Sequence, residues 1–292
     1  MSSSFTPLPK SLADTVARYS PRKSDDHLYI EVAQVKHRID LVNAWQIPPG
    51  ARVLEIGCGQ GTCTNVLAAA VGADGHVEAV DPGSPDYGSP FTLGQAQAHI
   101  SGTEIGPRIT WHNADPIEFL AKNADATWDF VVLAHCIWYF DKRQVLADML
   151  GALKGRAKNL LVAEYALKAT EDDARPHLLS ALARASLEAH NKASEANIRC
   201  LLSPAGIKET AEEVGWKIGQ ESNLVPAVGL LDGSWETGDV KGKHFVEEVN
   251  EYIQDERVKE VLLSAREAVL AAVAALDGRK VRTMDVWAAS FA

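Results

Sequence analysis

The segment 53–61 carries the residues whose types and spacing can do chemistry. It reads Val-Leu-Glu-Ile-Gly-Cys-Gly-Gln-Gly, and its glycines alternate at Gly57, Gly59 and Gly61. Apolar residues that run into alternating glycines indicate a buried strand that turns sharply into a helix, where the backbone comes close to a ligand. Twenty residues after Gly61, a second apolar segment leads into Asp81, whose carboxylate can accept hydrogen bonds from both hydroxyls of a ribose. The spacing therefore predicts a nucleoside-binding site.

The position of the third glycine separates two kinds of nucleoside cofactor. A dinucleotide fold spaces its glycines G-x-G-x-x-G and holds a pyrophosphate at the helix N-terminus. Here the third glycine comes one residue early, and Thr62 follows it. The pattern Glu55-x-Gly57-x-Gly59-x-Gly61 resembles motif I of the class I S-adenosylmethionine-dependent methyltransferases. This resemblance covers about residues 25–292, implies S-adenosylmethionine as the cofactor and disfavours a nicotinamide-dependent oxidoreductase.

The elements that must position these residues alternate between strands and helices, which is typical of an α/β fold. We predict strands at 53–56, 76–80, 108–112, 128–134, 159–165, 216–220 and 283–291. The resemblance implies a Rossmann-like, seven-stranded, mostly parallel sheet with helices on both faces. It also implies that the last strand is antiparallel and inserts beside the fifth.

Three segments outside this core have their own character. Residues 1–24 are rich in Ser and Pro and are expected to be loosely ordered, whereas residues 25–292 are expected to form a single methyltransferase domain. An amphipathic stretch at 25–45 predicts a helix that packs one face on the sheet. A helical insertion at about 168–202 and a glycine-rich loop insertion at about 224–242 are expected to cover the active site. Together these covers predict an enclosed pocket for a compact organic molecule.

Composition restricts the partners. The 292 residues include 29 basic and 39 acidic side chains, a formal net charge of −10, which disfavours binding to nucleic acid. No apolar run reaches the length of a membrane span, and the four cysteines show no spacing typical of a metal site. We therefore expect a cytoplasmic protein, monomeric or homodimeric, that acts on a small molecule without a metal, a membrane or a nucleic acid.

The resemblance assigns cofactor contacts along one edge of the sheet. They are Tyr29, Glu55, Gly57, Cys58, Gly59, Gly61, Asp81, Pro82, Asn113, Ala114, Asp115, Ala134 and His135. Asp115 fits the position that receives the adenine amino group, and it equally fits a helix cap before Pro116; both roles are compatible. Tyr29 reaches the cofactor if the helix at 25–45 acts as a lid, and is otherwise the exposed tip of a packing helix.

The chemistry follows from the implied cofactor. A sulfonium methyl carbon is already strongly electrophilic, so the protein mainly aligns a nucleophile and excludes water. If the acceptor is a phenol or an enol, a base is useful, and His135 is the candidate base or else a positioning residue. A carboxylate or thiolate acceptor needs no base. The candidate substrate contacts are Trp138, Tyr139, Glu164 and Trp235, of which the aromatic residues equally fit core packing.

These observations together predict a methyltransferase that acts on a small organic molecule, with an oxygen of a secondary metabolite as the acceptor. The alternative is a protein of the same fold that binds the cofactor but has a non-methylating or regulatory role. The acceptor atom (O, N, S or C) and the substrate scaffold stay open at this point.

Overall fold

A seven-stranded sheet forms the centre of the protein. The computed structural model describes residues 5–191 and 196–292. The strands are β1 (Arg52–Ile56), β2 (His76–Asp81), β3 (Ile109–Asn113), β4 (Trp128–Ala134), β5 (Ala157–Tyr165), β6 (Ile218–Leu224) and β7 (Val286–Phe291). Their spatial order is β3-β2-β1-β4-β5-β7-β6, and β7 is antiparallel to both of its neighbours. The predicted fold class and the insertion of the last strand beside the fifth are confirmed.

Helices cover the sheet and extend beyond it. They are α1 (Ala13–Ala17), α2 (Leu28–Trp45), α3 (Thr62–Val71), α4 (Leu93–Ser101), α5 (Pro116–Lys122), α6 (Arg143–Leu153), α7 (Arg175–Glu188), α8 (Pro204–Glu213), α9 (Asp232–Lys241), α10 (Lys243–Tyr252) and α11 (Glu256–Ala274). Within the described ranges, no helix combines the length and the apolar character that crossing a bilayer demands. All four cysteines are free thiols.

Alternation along the strands explains how one sheet serves two cores. Successive side chains of a strand point to opposite faces. Accordingly, Val53 of β1 packs into a core formed with α1, α2 and α3, whereas Leu54 packs into a second core formed with α5, α6 and α8. Both residues are almost completely buried. This double burial is why the parallel strands read as nearly continuous apolar runs in the sequence.

The N-terminus differs from its expected loose order. Residues 5–24 include α1, whose Ala13, Val16 and Ala17 are buried against α2 and α3. Leu8 and Asn43 also exchange two hydrogen bonds, since the Leu8 N–H donates to Asn43 Oδ1 and Asn43 Nδ2 donates to the Leu8 carbonyl. The Ser and Pro content concealed these few well-placed apolar residues. The part of this expectation that concerns residues 1–4 lies outside the described residues.

The two insertions differ in how well the sequence predicted them. In the first, expected to be helical over about 168–202, helix α7 occupies Arg175–Glu188, and residues 192–195 lie outside the described residues. In the second, the expected loop is wrong for 232–241, which form α9. Gly233 lies inside α9 and not in a turn. A β-carbon on it would lie 2.4 Å from the Arg282 carbonyl oxygen. The glycine thus permits α9 to pack closely on the chain before β7. Residues 243–282 carried no predicted element and contain α10 and α11.

The helices α7, α9, α10 and α11 form a cover with a core of its own. Apolar residues of all four pack together, including Leu187, Val240, Phe245 and Leu262. Ala181 of α7 and Tyr165 of β5 both belong to the main core. The cover is therefore anchored on the sheet beside the carboxyl ends of the central strands.

Candidate active site

A glycine-rich loop connects β1 to α3. Gly57, Gly59 and Gly61 have φ angles of 77°, 53° and 94°, a region that other residues rarely adopt. A β-carbon on Gly57 would lie 2.5 Å from Cβ of Cys136, and one on Gly61 would lie 2.7 Å from the Trp111 ring. Among the described residues, no atom outside the adjacent chain lies within 4 Å of the same position on Gly59. The outer glycines permit close packing, and the middle one leaves space for a ligand beside the backbone.

Asp81, the last residue of β2, faces this loop. Its Oδ2 accepts the backbone N–H of Gly59 at 2.8 Å, and its Oδ1 accepts that of Gly83 at 2.8 Å. Asn113 of β3 is paired with Asp81 and donates from Nδ2 to its carbonyl oxygen. Each carboxylate oxygen retains a second lone pair. The open space at Gly59 and these lone pairs fit a ligand that carries two neighbouring hydroxyls.

Asp115 caps α5. Its Oδ1 accepts the N–H groups of Ile117 and Glu118 at 2.9 and 3.1 Å, so the capping interpretation is confirmed. Ala114 is held beside it, because its N–H donates to the Asp81 carbonyl at 3.1 Å. The second carboxylate oxygen of Asp115 makes no hydrogen bond within the described ranges. Contact of Asp115 with an adenine amino group therefore stays a prediction that the cap does not oppose.

Glu55, the residue before Ile56 at the end of β1, lies beneath the loop. Its side chain is buried, and Oε2 accepts a hydrogen bond from Thr64 Oγ1 at 2.5 Å. Desolvation by burial raises the pKa of Glu55 to about 7, although the bond from Thr64 opposes the shift. Glu55 thus ties the end of β1 to α3. Direct contact with a cofactor remains a prediction for this residue.

The buried position of Glu55 predicts a pH-dependent stability. The pKa of Glu55 is raised in the folded state from 4.5 to about 7. Its contribution to the free energy of unfolding is therefore fully present below pH 4.5 and is lost as the pH rises from 4.5 through about 7. The loss amounts to roughly 3 kcal/mol. Glu55→Gln should therefore gain stability relative to the wild type by about this amount between about pH 5 and pH 8. Urea unfolding of both proteins at each pH measures it; an equal difference at both pH values would contradict the prediction.

His135 follows the last residue of β4 in a left-handed conformation. Its φ angle is 55°, which costs an ordinary residue roughly 1–2 kcal/mol. Its N–H donates to the Ala163 carbonyl at 2.8 Å, which holds the turn. The side chain is only 9% exposed, and Nε2 lies 2.9 Å from Nε2 of His37. Nδ1 lies 3.6 Å from the Glu164 carboxylate and has no hydrogen-bond partner within the described ranges.

The neighbours of His135 favour one tautomer. Burial, followed by the charge of Arg38, lowers the pKa of His37 well below its usual value, so His37 is neutral. Glu164 is buried, and its oxygens accept the backbone N–H groups of Ile137 and Tyr165. A carboxylate near Nδ1 favours the His135 tautomer with hydrogen on Nδ1. Nε2 then carries the lone pair that a base requires, and in this structure it accepts a hydrogen bond from His37 Nε2.

An inner cavity of about 260 Å³ lies beside His135. It is lined by Arg38, His135, Trp138, Tyr139, Glu164, Tyr165, Asn197, Ile198, Asp232, Trp235 and Glu236. An outer cavity of about 470 Å³ shares Asn197, Ile198, Trp235 and Glu236 with it and lies under the helical cover. All four predicted substrate residues are therefore brought together at the inner cavity. In the described ranges, no three His, Cys, Asp or Glu side chains converge as a metal site requires.

These four residues differ in what they can offer a ligand. Trp138 is 3% exposed and donates from Nε1 to the Leu202 carbonyl at 2.9 Å, so it also anchors the fold. Tyr139 and Trp235 are 46% and 54% exposed and present ring surface at the cavity. Glu164 is occupied by two backbone N–H groups, which favours support of His135 over direct contact with a substrate.

The remaining predicted cofactor residues are placed less uniformly. Cys58 is buried in the loop, Pro82 follows Asp81 on the surface, and Ala134 is half-buried at the end of β4. Tyr29, by contrast, is 62% exposed at the start of α2 and makes no hydrogen bond or ring contact in the described part of the chain. The structure thus does not bring Tyr29 to the site, and a cofactor contact for it stays a prediction.

Several residues at the inner cavity were not predicted from the sequence. Gln34 and His37 of α2 bond to Asp232 and His135. The lining residues that were not predicted are Arg38, Tyr165, Asn197, Ile198, Asp232 and Glu236. The sequence held a signal for Gln34 and His37, because they lie among the apolar positions that α2 buries. Polar side chains on a buried helix face need hydrogen-bond partners, and here the partners are residues of the site. Asp232 and Glu236 were missed because the segment was expected to be a loop, so their i, i+4 helical spacing was not considered.

Comparisons with known proteins show which chains this one resembles in sequence and fold. A family model described as a methyltransferase domain matches residues 53–156. The methyltransferase phomM of Diaporthe leptostromiformis is 28% identical over an alignment that covers 88% of this chain and 83% of that protein. A cyclopropane-fatty-acyl-phospholipid synthase-like protein from Lactobacillus casei is 29% identical, with a TM-score of 0.84 over 97% of this chain and 99% of that one. The cyclopropane synthase MmaA2 from Mycobacterium tuberculosis shares the fold, with a TM-score of 0.53, 16% identity and coverage of 97% and 95%.

Proposed function

This chain belongs to the class I S-adenosylmethionine-dependent methyltransferases, and we propose that it methylates an oxygen atom of a small organic molecule, a secondary metabolite. The observation that carries the proposal is the position of His135. It follows the end of β4 and lines the inner cavity, in a left-handed backbone conformation that non-glycine residues seldom adopt. Its neighbour Cys136 lies against the glycine loop at Gly57.

The residues present fit S-adenosylmethionine. The space beside Gly59 admits a ligand against the backbone, and Asp81 offers carboxylate oxygens to ribose hydroxyls. Asn113, Ala114 and Asp115 lie at the adjacent strand end, where they can meet the adenine. When bound, the cofactor supplies an electrophilic methyl carbon on a sulfonium.

His135 supplies the base that an oxygen acceptor needs. With Glu164 near Nδ1, its Nε2 lone pair can take the proton of a phenol or enol hydroxyl, which makes the oxygen a better nucleophile. The resulting imidazolium is stabilised by the nearby carboxylate. In this structure His37 donates from its own Nε2 to the same lone pair, so the acceptor hydroxyl takes the place of this hydrogen bond before its proton passes to His135.

Enclosure supports a compact substrate. The inner cavity is lined by aromatic and charged side chains and is comparable to the smaller ligand pockets of proteins. Its cover comes from the insertions at about 168–202 and 224–242, and we propose that they belong to a single methyltransferase domain spanning 25–292. We further propose a cytoplasmic enzyme, monomeric or homodimeric, that engages neither nucleic acid nor membranes.

Replacement of Asp81 tests the cofactor site. Asp81→Ala should weaken binding of S-adenosylmethionine by about 1–3 kcal/mol, the usual effect of losing a charged hydrogen bond. Asp81→Asn keeps one acceptor for the loop and should show a smaller loss. Isothermal titration measures both, and Asp86→Asn, in the exposed segment after β2, is the matched control. Unchanged affinity in Asp81→Ala would contradict the assignment of Asp81 to the ribose.

The reaction itself is tested with a labelled methyl donor. Purified protein is incubated with isotopically labelled S-adenosylmethionine and metabolite extracts, and products are identified by mass spectrometry. We expect a labelled O-methyl ether and an equal amount of S-adenosylhomocysteine. Label on nitrogen, sulfur or carbon would contradict the oxygen acceptor, and cofactor binding without any transfer would contradict the proposed activity.

A further inference from the structure

One face of α9 forms a wall of the inner cavity. Asp232, Trp235 and Glu236 are spaced i, i+3 and i+4, which places their side chains on the same side of a helix. All three line the cavity. The wall thus combines two carboxylates with an indole ring.

The charges around the cavity are unbalanced. Glu164, Asp232 and Glu236 contribute three carboxylates, whereas Arg38 is the one lysine or arginine among the described lining residues. The Arg38 guanidinium donates from Nη1 to Gln34 Oε1 at 2.7 Å, and its Nε makes no hydrogen bond in the described ranges. An excess of negative charge therefore remains inside the cavity.

The carboxylate of Glu236 is hydrogen-bonded to a neutral imidazole and not to a cation. The fully buried His177 lies with Nε2 at 2.8 Å from the Glu236 carboxylate. Its Nδ1 lies 2.9 Å from the N–H of Met284. A backbone N–H can only donate, so Nδ1 carries no hydrogen, and Nε2 must carry it. His177 hence gives Glu236 a hydrogen bond without giving it a positive charge.

Asp232 is also held by neutral donors. Its Oδ1 accepts from the Tyr165 hydroxyl at 3.1 Å, and its Oδ2 accepts from Gln34 Nε2 at 2.8 Å. Burial raises the pKa of Tyr165 far above its usual value, so the hydroxyl stays protonated and remains a donor. These bonds orient the Asp232 carboxylate without neutralising it.

Aromatic rings complete the surroundings. Trp138, Tyr139, Tyr165 and Trp235 all line the same cavity. Carboxylates together with aromatic faces are the chemistry that proteins use to bind ammonium groups. A second feature indicates a polar ligand, since the side chain of His135 is nine-tenths buried at this cavity and its Nδ1 has no hydrogen-bond partner in the described ranges.

We propose that the substrate of this enzyme carries a positively charged ammonium group, which binds between Asp232, Glu236 and Trp235 while the acceptor oxygen lies at His135. The inference rests on the proposed function and narrows its substrate class. Tyr165 spans the two ends, because its ring centroid lies 4.7 Å from that of His135 and its hydroxyl reaches Asp232. The side chain of Tyr165 therefore contacts both ends of the proposed site.

Matched pairs of ligands test the proposal by binding alone. Isothermal titration is carried out on the complex with S-adenosylhomocysteine, comparing tyramine with 4-ethylphenol and choline with 3,3-dimethylbutan-1-ol. We expect the cationic member of at least one pair to bind about tenfold more tightly than its neutral isostere. The preference should diminish as salt is added. If no cation exceeds its isostere, including the case in which neither member binds, the proposal is overturned.

Two conservative variants locate the effect. Asp232→Asn and Glu236→Gln retain hydrogen-bond acceptors for Tyr165 and His177, and each should lower the preference for the cation about fivefold or more. Glu267→Gln, on the exposed surface of α11, is the matched control and should leave it unchanged. Unaltered affinity for S-adenosylhomocysteine shows that each variant is folded. A preference that survives both variants would overturn the assignment to α9.

Turnover separates failure of this inference from failure of the proposed function. Tyramine and 4-ethylphenol carry the same phenol, so an equal kcat/KM for the two would contradict the ammonium site alone. Transfer to nitrogen, or to neither hydroxyl while metabolite extracts also yield no O-methyl product, would contradict the oxygen acceptor. The binding comparison stands independently of either result.

Discussion

Replacing His135 with alanine is expected to lower the rate of methyl transfer by about 10²–10⁴-fold while S-adenosylmethionine still binds. The variant removes the imidazole at the end of β4, and with it the lone pair that accepts the acceptor's proton. The backbone strain at position 135 stays, whereas the contacts of the ring to His37 and Glu164 are lost. The measurement is single-turnover transfer with an identified acceptor, together with the cofactor Kd.

Two further observations distinguish a base from a residue that only fills space. Added imidazole should restore part of the activity of His135→Ala, since a small base can occupy the vacated volume. His112→Gln is the matched control, because His112 contacts the tilted ring of Phe119 with centroids 4.6 Å apart and does not line the cavity. It should retain wild-type activity. A fall in rate of less than about fivefold in His135→Ala, without rescue, would exclude His135 as the base.

Alanine substitutions at two glycines of the loop should affect stability and cofactor binding differently. Gly57→Ala brings a β-carbon to within 2.5 Å of Cys136 Cβ at a φ of 77°, so strain and overpacking together should cost roughly 2–5 kcal/mol. Gly59→Ala has open space and a φ of 53°, so only the backbone strain of about 1–2 kcal/mol applies. Urea unfolding without the cofactor measures the difference.

For cofactor binding, in contrast to stability, Gly59→Ala should be the more damaging of the two substitutions. The methyl group in Gly59→Ala enters the space beside the loop, so the folded variant should bind S-adenosylmethionine at least about tenfold more weakly. Gly278→Ala, a positive-φ glycine with open space after α11, controls for strain and should bind normally. Equal destabilisation of Gly57→Ala and Gly59→Ala, or normal binding by Gly59→Ala, would contradict the assigned roles.

The cofactor end of the site was largely predictable because its parts are local in sequence. The glycine loop follows β1 directly, and Asp81, Asn113 and His135 each end or follow a parallel strand. Parallel strands place their carboxyl ends at one edge of a sheet. The apolar strand patterns in the sequence therefore also predicted that these side chains lie along the same edge. The choice between the two roles of Asp115, and the burial of Glu55 beneath the loop, depend on side-chain contacts that sequence periodicity does not contain.

The sequence by itself determined the fold family and the loop beside which the cofactor is expected to bind. Only the tertiary structure decided what surrounds the acceptor, because that cavity is assembled from α2, β4, β5 and α9. Its hydrogen bonds join Gln34 to Asp232 across 198 positions and His37 to His135 across 98. Contacts over such separations leave no spacing to read, since each partner sits in its own helix or strand for local reasons. The charge of the cavity, and with it the substrate class, exists only once the chain has folded.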